Sequence, residues 1–459
     1  MFDENDQRMF ASDEFWKYYV LRQSDGLEIP GNMSLPLLAC LFSSWMLCFI
    51  CMAKGVKTLG KVVYFTATFP YVALVMLFIY AVTLEGAADG LAFFLKPEWK
   101  RLKEFKVWQA AFGQIFYSIG VAFGSLITMA SYNKFENNCL RDALIVSIGN
   151  CLTSVFAGCV IFSFVGYMAK HIDKPVNKLI RSGTGLTFIV YPEAFAQLSP
   201  SIGNRFACVL SSLFFFMLLT LGLDSQFSMV ETVTTAILDT WVRLRDHKVK
   251  VIGCCCFGMF SAGTIFTLQN GIYWFHLFDS YSATWGLILI AMLELFLVSI
   301  FYRVFAFKHD IEYMMQRHQS RYWAVMWLFV SPFSLMIIFV ATVATLKPTK
   351  YELYEYPPWA EAMGWMLCLS SIAFIPGVAL YRVGKLFYSY RTGKVKSIGK
   401  YLWKLFRTSY FWMPAKDRAY YKQVAKLQTA TFSITSQLPT MVKRERDVLE
   451  YEIETENDV

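Results

Sequence analysis

The chain has 459 residues, of which 56% are hydrophobic and only 17% charged, with a formal net charge of +9. A soluble domain carries about a quarter charged residues. Here the apolar residues run in long blocks of the length that crosses a bilayer, about 20 residues, so a soluble fold is excluded. The positive balance would suggest nucleic acid in a soluble protein; in a membrane chain it is accounted for by basic loops facing the cytoplasm.

In chain order the blocks give nine predicted spans, at 35–53, 62–83, 108–131, 143–169, 205–238, 250–268, 282–306, 322–346 and 362–386. The fifth is long enough to tilt or to project beyond the bilayer. Lys54, Lys57 and Lys61 lie between the first two spans, and Lys134 and Arg141 follow the third. Arg243, Arg245, Lys248 and Lys250 follow the fifth, Arg303, Lys308, Arg317 and Arg321 the seventh, and Arg382 to Arg407 the ninth. These stretches alternate with the spans and so share the cytoplasmic face. The N-terminus is then extracellular, which suits its five acids and one base in the first 14 residues, and the first span serves as an outward-N signal anchor with no signal peptide before it. Loops 84–107 and 170–204 fall outside, as does the sequon Asn32-Met33-Ser34. The organisation read from this is an extracellular segment 1–34, a transmembrane region 35–390 and a cytoplasmic tail 391–459, amphipathic and then acidic, ending in Asn-Asp-Val.

Most of the eleven cysteines sit inside apolar blocks, without the spacing to histidine that zinc requires. They read as small residues facing lipid or the bundle. No nucleotide loop, nucleophile elbow or His-Glu-x-x-His motif occurs, which argues against an enzyme.

Polar residues inside the blocks carry the functional information. Asp224 lies mid-span in Leu221-Gly222-Leu223-Asp224-Ser225-Gln226, where an unpaired carboxylate is costly. A sodium ion would remove that cost, with Ser225 and the Leu221 carbonyl one turn earlier as further oxygen donors; a bond to a neighbouring helix would do so as well. In the third span, Gln114 to Gly124 places Gly120, Gly124 and polar residues at mid-membrane. A helix break there would free backbone groups to line a cavity, although glycine also serves helix packing. Asn150 and Ser154 share a face of the fourth span, and Glu294 is a further acid in the seventh.

Several stretches resemble the neurotransmitter:sodium symporter family, and the resemblance runs from about residue 12 to 390. They include Gly60-Lys61-Val62-Val63-Tyr64-Phe65-Thr66-Ala67-Thr68-Phe69-Pro70, Ala130-Ser131-Tyr132-Asn133-Lys134-Phe135, Phe188-Ile189-Val190-Tyr191-Pro192-Glu193-Ala194, Leu218 to Gln226, and Gly271-Ile272-Tyr273-Trp274-Phe275. The resemblance implies an all-α polytopic fold like that of the bacterial leucine transporter, itself a type example of broken helices and inverted repeats. The matched part corresponds to the family's fourth to twelfth spans, with the second repeat, 108–306, complete and the first partial.

By the same resemblance Ser118 and Asn150 match ligands of a first sodium site, and Leu221, Asp224 and Ser225 those of a second. Gln114, Ser118 and Ser154 match a chloride site, the neutral Ser154 implying chloride dependence. Tyr117, Phe123, Ser225 and the backbone around Gly120 match the substrate wall, which suits a small neutral amino acid. Asp279 and Asp239 match the acidic halves of the outer and inner gates, their basic partners expected in helices without a counterpart here. The implied activity is sodium- and chloride-coupled symport of a small amino acid, amine or osmolyte across the plasma membrane, with the chain read as a shortened gene model or isoform. The alternative is a non-transporting protein that associates with full-length relatives.

Overall fold

A computed structural model describes residues 11–54, 56–173, 175–179, 186–344, 348–352 and 354–392. The predicted tail beyond residue 392 and the first ten residues lie outside this range. The helices are α1 (Leu35–Ala53), α2 (Val56–Val82), α3 (Ala87–Leu95), α4 (Phe105–Ile119), α5 (Ser125–Ser131), α6 (Cys139–Ile172) and α7 (Tyr191–Ile202). They are followed by α8 (Asn204–Thr240), α9 (Lys248–Gly263), α10 (Gly271–Ser280), α11 (Leu287–Phe296), α12 (Val304–Met315), α13 (Ser331–Ala344) and α14 (Pro358–Arg391). Residues 1–383 form one compact unit; of a second, 384–459, only the helical end of α14 and Thr392 are described.

Among the described residues seven helices are long and apolar enough to cross a membrane, or eight if one bent pair counts as a span. Nine were expected, and the difference is informative. The predicted span 108–131 is two short helices, α4 and α5, separated by an unwound stretch at 120–124. The predicted seventh span, 282–306, ends at Phe301, because Arg303 adopts a positive φ of 72° and α12 departs at 89°.

Helical backbone satisfies its own polar groups, which lipid cannot do. Local sequence then sets the ends. Ser34 is extended ahead of Leu35 and Pro36 and opens α1, its N–H bonded to the Thr267 carbonyl at 2.9 Å. The Asn138 side chain accepts the Arg141 N–H and caps α6. In α2, Pro70 has no N–H to give to the Thr66 carbonyl four residues earlier.

Burial against water does not drive helices together inside lipid, so close van der Waals packing must do so. The tightest contact involves α3, in a stretch expected to be a loop. A Cβ on Gly90 would lie 1.9 Å from the Phe162 carbonyl oxygen and 2.9 Å from the Gly166 backbone, so α3 and α6 meet backbone to backbone. The second expected loop, 170–204, contains α7, which completes a core with α2, α6 and α8: Leu77, Phe164, Met168, Tyr191, Phe195 and Phe214 are all buried. Tyr191 stacks on Phe214 at 4.1 Å. A second cluster, Cys48, Met52, Phe227, Val230, Ile252 and Cys256, joins α1, α8 and α9. The cysteines are all free; some face the bundle and others, such as Cys40 and Cys254, are exposed.

Residues 11–34 tie distant segments of the chain together. The Ser12 hydroxyl donates to Glu193 at 2.8 Å, and Trp16 stacks on Phe188 at 4.3 Å. Lys17 reaches Glu352 at 2.7 Å, and Gln23 donates to Tyr273 at 2.9 Å. Leu27 enters a cluster with Ile272, Tyr273, Leu277, Tyr281, Tyr356 and Ala360. In the sequon, Asn32 is exposed while Ser34 is buried at the mouth of α1.

Candidate functional site

The break between α4 and α5 builds the first part of the site. Gly120 ends α4 with φ 74° and Gly124 opens α5 with φ 78°, both in the left-handed region that glycine enters without penalty. Ala122 between them is also left-handed, at φ 66°, a conformation that costs a non-glycine residue energy. Val121 and Ala122 pack against Ala291, Leu335 and Ile338 of α11 and α13, which holds the unwound stretch in place. The rings of Tyr117 and Phe123 meet edge to face across the break at 6.1 Å, so two expected substrate-wall residues are adjacent around Gly120.

Ser118, one residue before the end of α4, is bonded to Asn150 of α6. The serine hydroxyl donates to Asn150 Oδ1 at 3.1 Å and accepts from Nδ2 at 2.9 Å. One turn along α6, the Ser154 hydroxyl donates to the Asn150 carbonyl at 2.9 Å. Ser118, Asn150 and Ser154 thus form one polar group between two helices. Gln114 lies a turn before Ser118 on α4 and is exposed, with no hydrogen bond to Ser118 or Ser154 among the described residues.

The second part lies on α8, which stays helical through Leu221, Asp224 and Ser225. The Ser225 hydroxyl donates to the Leu221 carbonyl at 3.2 Å, so two of the three expected donors touch. Asp224 is half-buried and accepts a 2.7 Å hydrogen bond from Thr66 of α2. Among the described residues no lysine or arginine pairs with it, which leaves the carboxylate able to take a hard cation. Further along the same face come Ser228 and Thr232, whose hydroxyls donate to the carbonyls of Ser225 and Ser228. Thr232 meets α5 through Ser125 at 3.4 Å. Seven residues, two helical turns, separate Ser225 from Thr232, so one face of α8 carries both the Asp224 group and the contact to the broken helix.

The expected gates stand differently. Asp239 is exposed and accepts from Arg245 at 2.9 Å, a partner six residues on rather than one in an unmatched helix. Asp279 is exposed at the C-terminal end of α10, within electrostatic reach of Tyr117 and of His276. Burial pushes His276, which lies outside the predicted spans, below the ordinary imidazole value, with Asp279 partly opposing.

Sequence reasoning missed three groups. Thr66 gave no signal, since a helical threonine ordinarily satisfies itself on the carbonyl one turn back. Glu231 is 3% exposed and accepts from Tyr132, just past α5, at 2.6 Å and from Lys248, at the start of α9, at 2.9 Å. As an acid within the predicted fifth span, Glu231 met the same criterion as Asp224. Lys248 carried only the general signal of a basic loop.

Residues 2–386 match the model of the sodium:neurotransmitter symporter family. The chain is 43% identical over 381 residues to a sodium- and chloride-dependent glycine transporter 1 of Xenopus laevis, covering 82% of this chain and 59% of that protein. It is 44% identical to a glycine transporter 2 of the same organism, over 80% of this chain and 46% of the relative. A human sodium- and chloride-dependent neutral and basic amino acid transporter B(0+) is 41% identical, over 81% of this chain and 58% of that protein. The chain thus spans about half the length of the curated relatives it matches, and it belongs to the sodium:neurotransmitter symporter family.

Proposed function

We propose that this chain carries the ion- and substrate-binding part of a sodium- and chloride-coupled symporter for a small neutral amino acid in the plasma membrane. The observation that supports it most is Asp224: a half-buried carboxylate in an apolar helix, beside Ser225 and the Leu221 carbonyl, held by one hydroxyl and by no basic residue among those described. Sodium bound there neutralises the charge where lipid and protein do not. Ser118 and Asn150 serve a first sodium ion, and Gln114, Ser118 and Ser154 serve chloride. Tyr117, Phe123, Ser225 and the unwound backbone around Gly120 form the substrate wall, with Asp279 and Asp239 on the outer and inner sides. The N-terminus is extracellular and the tail past residue 391 cytoplasmic.

The cycle is alternating access, in which sodium favours the outward-open state by binding it more tightly. Substrate affinity then depends on sodium. The test is uptake of labelled glycine and larger neutral amino acids in cells expressing the chain, with sodium replaced by choline and chloride by gluconate. Uptake should need both ions, and Asp224→Ala should abolish its sodium dependence. Uptake indifferent to sodium, or an Asp224→Ala variant with wild-type sodium dependence, refutes the assignment. The relatives' names make glycine the first substrate to try. No observation favours association with full-length relatives.

A further inference from the structure

Thr66 is 4% exposed and sits on α2, facing α8. Its hydroxyl has three acceptors within range: the Val62 carbonyl at 3.2 Å, the Val63 carbonyl at 3.4 Å and Asp224 Oδ1 at 2.7 Å. A hydroxyl has one proton to give. The two carbonyl distances are long, while the carboxylate distance falls in the range of charge-assisted O–H···O⁻ bonds. The proton therefore goes to Asp224, and this threonine forgoes the local bond that helical threonines usually make.

The attachment is rigid at both ends. One turn before Thr66, Val62 and Val63 pack against the buried cluster of Cys48, Phe227 and Ile252, as does Leu223 beside Asp224. A short hydrogen bond between two helices fixed by the same cluster sets the carboxylate plane. It occupies one lone pair of Oδ1 and leaves Oδ2 for a cation.

We infer that Thr66 is a positioning residue for the cation site: it orients Asp224 from a second helix, so that sodium affinity depends on how α2 sits against α8. This rests on the reading of Asp224 as a sodium ligand. Thr66 touches the ligand and not the ion, so its removal acts through geometry.

The test is sodium-22 binding to the full chain purified into lipid nanodiscs, comparing wild type with Thr66→Val, Thr66→Ala, Thr66→Ser and Asp224→Ala. Valine keeps the volume and loses the hydroxyl. Thr66→Val should raise the half-saturating sodium concentration about tenfold, the size expected for one hydrogen bond to a charged group. Thr66→Ser should restore wild-type affinity and melting temperature, and Thr66→Val in potassium should still unfold cooperatively, its melting temperature lowered by no more than the loss of this one hydrogen bond. Should valine not fold, alanine against serine gives the same comparison. Wild-type affinity in the valine or alanine variant overturns the inference while leaving the sodium site standing. Absence of saturable sodium binding in the wild type, or full binding in Asp224→Ala, overturns the site itself and this inference with it.

Discussion

The Glu231–Lys248 pair gives a quantitative prediction, because its two members are unequally buried. The glutamate side chain is 3% exposed and the lysine 31%, with their atoms 2.9 Å apart. Removing one partner of a fully buried pair costs about 3–5 kcal/mol, and exposure of a member reduces that figure. Lys248→Met strands a buried carboxylate that, among the described residues, keeps only the Tyr132 hydroxyl, and should cost about 2–3 kcal/mol. Glu231→Gln retains an oxygen for Tyr132 and releases an ammonium that can turn to water, so about 1 kcal/mol is expected. The double variant should resemble Glu231→Gln alone, giving a coupling of about 2–3 kcal/mol, the size of the Lys248→Met effect. Equilibrium unfolding in mixed micelles, followed by the fluorescence of the 13 tryptophans, measures all four states. Equal single effects that add to within about 0.3 kcal/mol would show that the pair contributes no coupling and that its burial is incidental.

Gly90→Ala should destabilise by about 3 kcal/mol or more in the same assay, because the added methyl meets backbone that has no rotamer to escape into. Gly113→Ala, with nothing within 4 Å of the new atom, should be neutral or slightly stabilising, and equal effects at the two positions would remove the case for backbone contact between α3 and α6. His276 is held neutral by burial, so its folded value lies below its unfolded one and the unfolded chain takes up the extra proton. The stability it contributes is fully present above about pH 6.5 and is lost as pH falls through the lower folded value. His276→Phe should flatten the fall in melting temperature over that interval, and an unchanged slope would show that another group titrates.

What the sequence made legible was each place where a local rule is broken at a cost. Two glycines in an apolar span announced a weak helix, and Gly120 and Gly124 both stand at left-handed ends of an unwound stretch. A carboxylate at position 224 announced an electrostatic debt, and Asn150 and Ser154 announced a polar helix face. The compensations were not legible, because the residues that supply them look ordinary. Thr66 sits 158 positions from Asp224, and only the packing of α2 on α8 brings them together. Lys248 resembled its neighbours Arg243, Arg245 and Lys250, and the turn at 242–247 decides which of them reaches Glu231. The helix α3 was hidden for a related reason: it has nine residues, too few for a span, and it docks through Gly90, which has no side chain to show a pattern. A polar atom in lipid must be satisfied, so its presence in a sequence implies that a partner exists. It does not say which helix provides one. For Asp224 the described residues supply half of the answer, a single hydroxyl, and that shortfall among them is the physical reason to look for a cation.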